Sequence, residues 1–166
     1  MTGEIIHPES TLTPASRLLG YAGLLPQIIC VALAASGHEY AYTALAGGFA
    51  YGAAIFSFLG GVWWGQAIQS GRNGRPAGAG SYLVAVMPSL ISVALFIPWS
   101  LGWEWPGPAL LYLGALIALS PLVDKALGYA ARDFMRLRVQ LSLGLGGLTI
   151  ALGLVAEHLM QASLAA

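Results

Sequence analysis

The stretch "YTALAGGFAYGAAIFSFLGGVWWGQAI", Tyr42 to Ile68, holds no Asp, Glu, Lys, Arg or His. Its length decides the fold. A helix rises 1.5 Å per residue, so about 20 apolar residues cross the ~30 Å hydrocarbon layer of a bilayer. This run is longer than that and has room to tilt. A soluble domain would have to bury it under polar residues that the chain lacks. Only 8% of the 166 residues are charged and 57% are hydrophobic, whereas an average soluble domain carries roughly 25% charged residues.

Working outward, four further stretches reach the same criterion: Leu18 to Ala35, Tyr82 to Trp99, Pro108 to Val123 and Val139 to Ala156. The fourth span is short. It reaches full length by continuing through Asp124 and Lys125 to about Leu127, with the Lys125 side chain reaching back to the interface. The expected fold is an all-α polytopic bundle of five transmembrane helices. It divides into a cytoplasmic N-terminal segment, 1–17, a five-span membrane domain, 18–157, and a short C-terminal tail, 158–166.

The basic residues set the direction. Arg17 precedes span one, Arg72 and Arg75 follow span two, and Lys125, Arg132, Arg136 and Arg138 lie between spans four and five. Five spans put all of them on one side, and adding or dropping a span breaks that sorting. Lys and Arg favour the cytoplasmic side, so the N-terminus is expected in the cytoplasm and the C-terminus outside. Trp99, Trp103 and Trp105 then cluster at the outer interface, where tryptophans anchor helix ends. Leu127, Ala130, Ala131, Phe134 and Leu137 recur at helical spacing, with Arg132 and Arg136 on another face. They predict a short surface helix whose two arginines meet lipid headgroups.

Small residues recur every four positions along span two: Ala53, Ser57, Gly61 and Gly65, beside Gly60. In lipid such ladders let backbones approach. Ser57, Gly60, Gly61 and Gly65 are therefore expected to form a helix-packing seam. Gly144, Gly147 and Ala151 offer a second smooth face on span five. Trp63 and Trp64 point about 100° apart on a helix, so one can face lipid while the other turns inward. With Gln66 one turn on, they are candidates for a ligand or interface cluster. Asp124 and Arg138 close spans four and five on the same side, and an ion pair there would fix how the two helices meet.

Several classes are disfavoured. A net charge of zero leaves no footprint for nucleic acid. One cysteine, Cys30, permits no internal disulfide, and no Cys/His spacing suggests a metal. His7, His38 and His158 all lie outside the spans, and no ionisable residue sits at mid-depth. That disfavours a haem carrier, a proton pump or an ion pathway. No HExxH or GxSxG motif and no nucleophile–base pair is present, so no catalytic residue and no cofactor is assigned.

Four stretches together carry a resemblance: "LGYAGLLPQI" at 19–28, "YGAAIFSFLGGVWWG" at 51–65, "MPSLI" at 87–91 and "FMRLRVQLS" at 134–142. The chain resembles the bacterial membrane proteins grouped as domain of unknown function 3429, related to transmembrane protein 69 of animal mitochondria. Ser57, Phe58, Leu59, Gly60, Gly61, Trp64 and Gly65 match the second motif. Phe134, Leu137, Arg138 and Leu141 match the last, with Ser142 in place of threonine, and Asp124 matches an acid after the fourth span. One departure is Trp63, where many members carry histidine or arginine, so no role for a cation is carried over to that position. The resemblance covers about Leu18 to Thr149 and implies a bacterial inner membrane or its mitochondrial descendant.

Three functions stay open. The first is a non-enzymatic accessory, assembly or interaction subunit, embedded in the bilayer and bound to a membrane-protein partner or to its own copies. The second is a small oligomeric carrier or channel for a neutral or lipid-like solute. An intramembrane enzyme acting on a lipid or quinone ranks third, because Asp124 and Arg138 alone make no mechanism.

Overall fold

The structure is a computed structural model. It describes residues 13–165 except 38, 73, 75, 104–105 and 129–131, and at 72, 132 and 133 the backbone alone. Among the described residues every regular element is an α-helix: α1 (Pro14–Ala22), α2 (Leu25–Ala35), α3 (Ala41–Arg72), α4 (Ala79–Ser100), α5 (Pro106–Leu127) and α6 (Arg132–Ala165). Taken with α1 and α2 as one span, they make five helices long and apolar enough to cross a membrane. The protein is a multi-pass membrane protein.

The first span is broken, which its apolar pattern does not reveal. Thr13 caps α1, its hydroxyl accepting from the Ser16 amide at 3.2 Å, and Pro14 takes the first turn. The helix then stops at Gly23 and restarts as α2. Pro26 has no N–H to offer the carbonyl of Ala22. The next carbonyl, that of Gly23 at the break itself, is served from another helix, as the Tyr51 hydroxyl of α3 donates to it.

α3 is the central element. It packs against α2, α4, α5 and α6, and Leu45, Phe49, Phe56, Leu59, Trp63 and Ala67 line its buried side. Gly60 lies against α4 beside Pro88, where a Cβ would collide with the Ala85 carbonyl oxygen. The Ser92 hydroxyl donates to the Pro88 carbonyl at 2.8 Å.

The closest packing joins α5 to α6. A Cβ at Gly114 would stand 2.7 Å from the Gly146 carbonyl oxygen, and one at Gly146 would stand 2.6 Å from that of Gly114. Gly153 receives Leu111 in the same way, at 3.0 Å. Van der Waals contact between backbones holds helices together where lipid removes the hydrophobic drive.

Several expectations change here. Of the foreseen seam on α3, Gly60 packs inside the bundle, but Gly61 and Gly65 face open space. On α6, Gly144 meets Leu24 at 3.1 Å, Gly147 faces outward, and Gly146 and Gly153 take the tight positions. Four-residue spacing alone does not say which face of a helix turns inward. The predicted surface helix is not separate: Leu127 ends α5, Gly128 turns the chain at φ 69°, and Phe134 and Leu137 belong to the first turns of α6. Ala130 and Ala131 lie outside the described residues. α6 also runs on through 158–165, so that segment extends the last helix.

The outer surface matches a lipid environment. Leu25 and Ile29 on α2, Leu83 and Leu90 on α4, Leu119 and Leu122 on α5, and Leu143 and Leu154 on α6 are each more than half exposed. At the end opposite the basic residues, Trp99 packs edge-on against Phe49 at 5.7 Å and Phe96 at 6.0 Å. Trp103 is exposed, and Trp105 lies outside the described residues.

Candidate functional site

Three helices bring a polar cluster together near the basic end of the bundle. Asp124, one turn before the end of α5, is 1% exposed, and Arg138, in the second turn of α6, is 8% exposed. Arg138 Nε stands 3.0 Å from Asp124 Oδ2. The N–H there is not aimed along that line, so the contact is chiefly coulombic. Trp63 of α3 supplies the aligned bond, its indole Nε1 donating to Asp124 Oδ1 at 2.7 Å.

Serines complete the arrangement. Arg138 donates from Nη1 to Ser142 Oγ at 2.8 Å and from Nη2 to Ser120 Oγ at 3.3 Å. Ser120 is held by the proline after it. Pro121 has no N–H for the Ile117 carbonyl, and the Ser120 hydroxyl donates to that oxygen instead, at 2.7 Å. Its lone pairs are then aimed at the guanidinium. A buried charge is tolerated only when paired and hydrogen-bonded, and here carboxylate, indole and two hydroxyls meet that need.

Cavities adjoin the cluster on two sides. A groove of about 460 Å³ runs between the α1–α2 break, α3 and α6, with Arg138 and Ser142 in its wall among Leu19, Tyr51, Phe58 and Leu141. A smaller cavity of about 180 Å³ lies between α3, α4 and α5 and reaches Trp63 and Ser120. A third, about 520 Å³, opens between α3 and α4 toward the other end, beside Phe49 and Trp99.

The expected site residues therefore divide. Asp124, Arg138 and Trp63 converge. Trp64 turns outward, 43% exposed, and meets Tyr82 edge-on at 5.0 Å. Gln66 is half-buried with its amide oxygen unpartnered, so Trp63, Trp64 and Gln66 do not form one cluster. Ser57 is half-buried in the wall of the third cavity. Arg136 is exposed, while the side chain of Arg132 lies outside the described residues.

Two features are not apparent from the motifs alone. Ser142 follows Arg138 by four residues, and Ser120 precedes Asp124 by four. Helical neighbours at that spacing share a face, so each half of the cluster carried a local signal. No local signal announced the Trp63 bond, which joins residues from separate helices. The same holds for Gln27 of α2, fully buried, which donates to Thr149 Oγ1 of α6 at 3.1 Å.

No curated protein matches this chain. No solved structure matches it. The family model described as protein of unknown function (DUF3429) matches residues 12–155, a stretch that holds the α1–α2 break, the Gly60 contact and the whole Trp63–Asp124–Arg138 cluster, and the chain belongs to that family.

Proposed function

We propose that this multi-pass protein is a non-enzymatic accessory or interaction subunit of a bacterial inner-membrane assembly, oriented with its basic end in the cytoplasm. One observation carries the reading. The outward face of α3 carries the bulky Tyr42, Phe58, Trp64 and Ile68, but between them runs a stripe of small residues. There Ala46, Gly47, Ala50, Ala54, Gly61 and Gly65 are exposed, and Gly61 and Gly65 have no neighbour within reach of a Cβ. Small residues on a lipid-facing surface forgo contact with acyl chains. They suit the close approach of a helix from another protein or a second copy.

Mild-detergent purification of the tagged protein, with mass analysis of what accompanies it, tests the reading. A second membrane protein or a defined homo-oligomer is expected with the wild type and is lost in Gly61→Leu, which keeps its fold because the site faces open space. Persistence of the complex in that variant would overturn the proposal.

A second reading, a small carrier for a lipid-like solute, draws on the cavities that flank Trp63 and Ser120 on one side and Arg138 on the other. Solute or lipid movement in proteoliposomes, abolished in Trp63→Phe, would favour it over the first.

A further inference from the structure

We infer that the groove beside α1 holds an acyl chain of a membrane glycerolipid, whose ester carbonyl accepts a hydrogen bond from Arg138, and that this binding is indifferent to headgroup charge. The inference goes beyond the accessory reading and uses a different face of the protein. Access comes from the side. The rim residues Leu19 and Phe58 are 72% and 66% exposed, and apart from Tyr51, Arg138 and Ser142 the groove is lined by apolar side chains and glycine. An occupant arrives from the hydrocarbon layer and is itself largely apolar.

Depth selects the part of the lipid that meets Arg138. The apolar run of α6 starts at Val139 and ends near Ala156, about the length that spans a hydrocarbon core. Arg138 therefore stands at the boundary of that core. Glycerolipid ester groups occupy this level, with headgroups outside it and acyl chains running inward along Ile55 and Leu145.

Charge selects an uncharged acceptor. Asp124 already balances Arg138. A phosphate drawn against this dehydrated pair would leave one negative charge unmatched, which is costly at low dielectric. The guanidinium nonetheless has donors to spare. Each terminal nitrogen carries two N–H bonds, and Ser142 and Ser120 take one from each. A carbonyl oxygen meets that capacity without adding charge.

Native mass spectrometry of the full chain, titrated with defined lipids, tests the inference. Diacyl phosphatidylethanolamine and diacyl phosphatidylglycerol are expected to bind within about twofold of each other. The ether-linked analogue of the ethanolamine lipid, which lacks the carbonyls, should bind about tenfold more weakly, the cost of a hydrogen bond to a charged donor. Val62→Trp, which places a bulky ring in the groove wall, should remove binding. Ile55→Trp serves the same purpose if that variant does not fold. Equal binding of ester and ether lipids, a tenfold preference for the anionic lipid, or undiminished binding in both folded tryptophan variants would each overturn it. Gly61→Leu should leave lipid binding unchanged, which separates this outcome from the fate of the accessory reading.

Discussion

The carboxylate of Asp124 is the group on which the inner contacts converge, because it faces Arg138 with one oxygen and the Trp63 indole with the other. Trp63→Phe keeps one aromatic ring at this buried position, deletes the donor and leaves a small cavity that adds to the cost. A hydrogen bond to a charged group is worth about 1.5–3 kcal/mol, and a loss of at least that size is expected in the unfolding free energy measured in detergent. Asp124→Leu strands the Arg138 charge inside the bundle and should cost about 3–5 kcal/mol. Asp124→Leu combined with Arg138→Met removes both charges, and the pair should recover part of the loss. Recovery is incomplete, because the Trp63 N–H is left without its acceptor. If the double variant is less stable than Asp124→Leu alone, the buried charge is not what makes the single change costly.

At the scale of the helix, glycine position rather than glycine number controls packing. Gly114 of α5 and Gly146 of α6 each lie against the other's carbonyl, while Gly147, one residue on, meets nothing. Gly114→Val must push two backbones apart and is expected to destabilise by about 1–3 kcal/mol or more, as overpacking does. Gly147→Val points to the outside and should stay within about 0.5 kcal/mol of the wild type. Thermal unfolding of the two variants side by side checks the contrast. Equal effects would mean that α5 and α6 are not held by backbone approach. The α1–α2 break belongs to this scale too, since Tyr51→Phe withdraws the donor from the Gly23 carbonyl. A drop of about 1 kcal/mol is expected, with faster hydrogen exchange confined to 20–28.

For the whole molecule, the distribution of charge predicts how it sits in the membrane. With Cys30→Ser as background, a cysteine at Gly78 lies at the basic end and one at Ser163 at the opposite end. A membrane-impermeant maleimide applied to intact cells should label Ser163→Cys and spare Gly78→Cys until the membrane is opened. The reverse pattern would overturn the proposed orientation. An even number of spans between Gly78 and Ser163, in place of three, would place both sites on one side.

How much of this was legible in the sequence depends on the range of the interaction concerned. Apolar runs are local, so the all-helical class, the five spans and their approximate ends followed from residue order, since any stretch that long and uncharged must leave water. The i, i+4 relations of Arg138 to Ser142 and of Ser120 to Asp124 were local as well, and so was the proline that frees the Ile117 carbonyl for Ser120. Rotation of each helix about its axis was not local. It placed Gly60 inward and Gly61 outward, chose Gly146 over Gly147, and turned Trp63 rather than Trp64 onto Asp124. The contrast between a polar and an apolar face, which orients a helix in water, is weak when both lipid and core are apolar. Only the mutual fit of side chains from different helices, which exists in the tertiary structure and nowhere in the chain order, decides which face turns in.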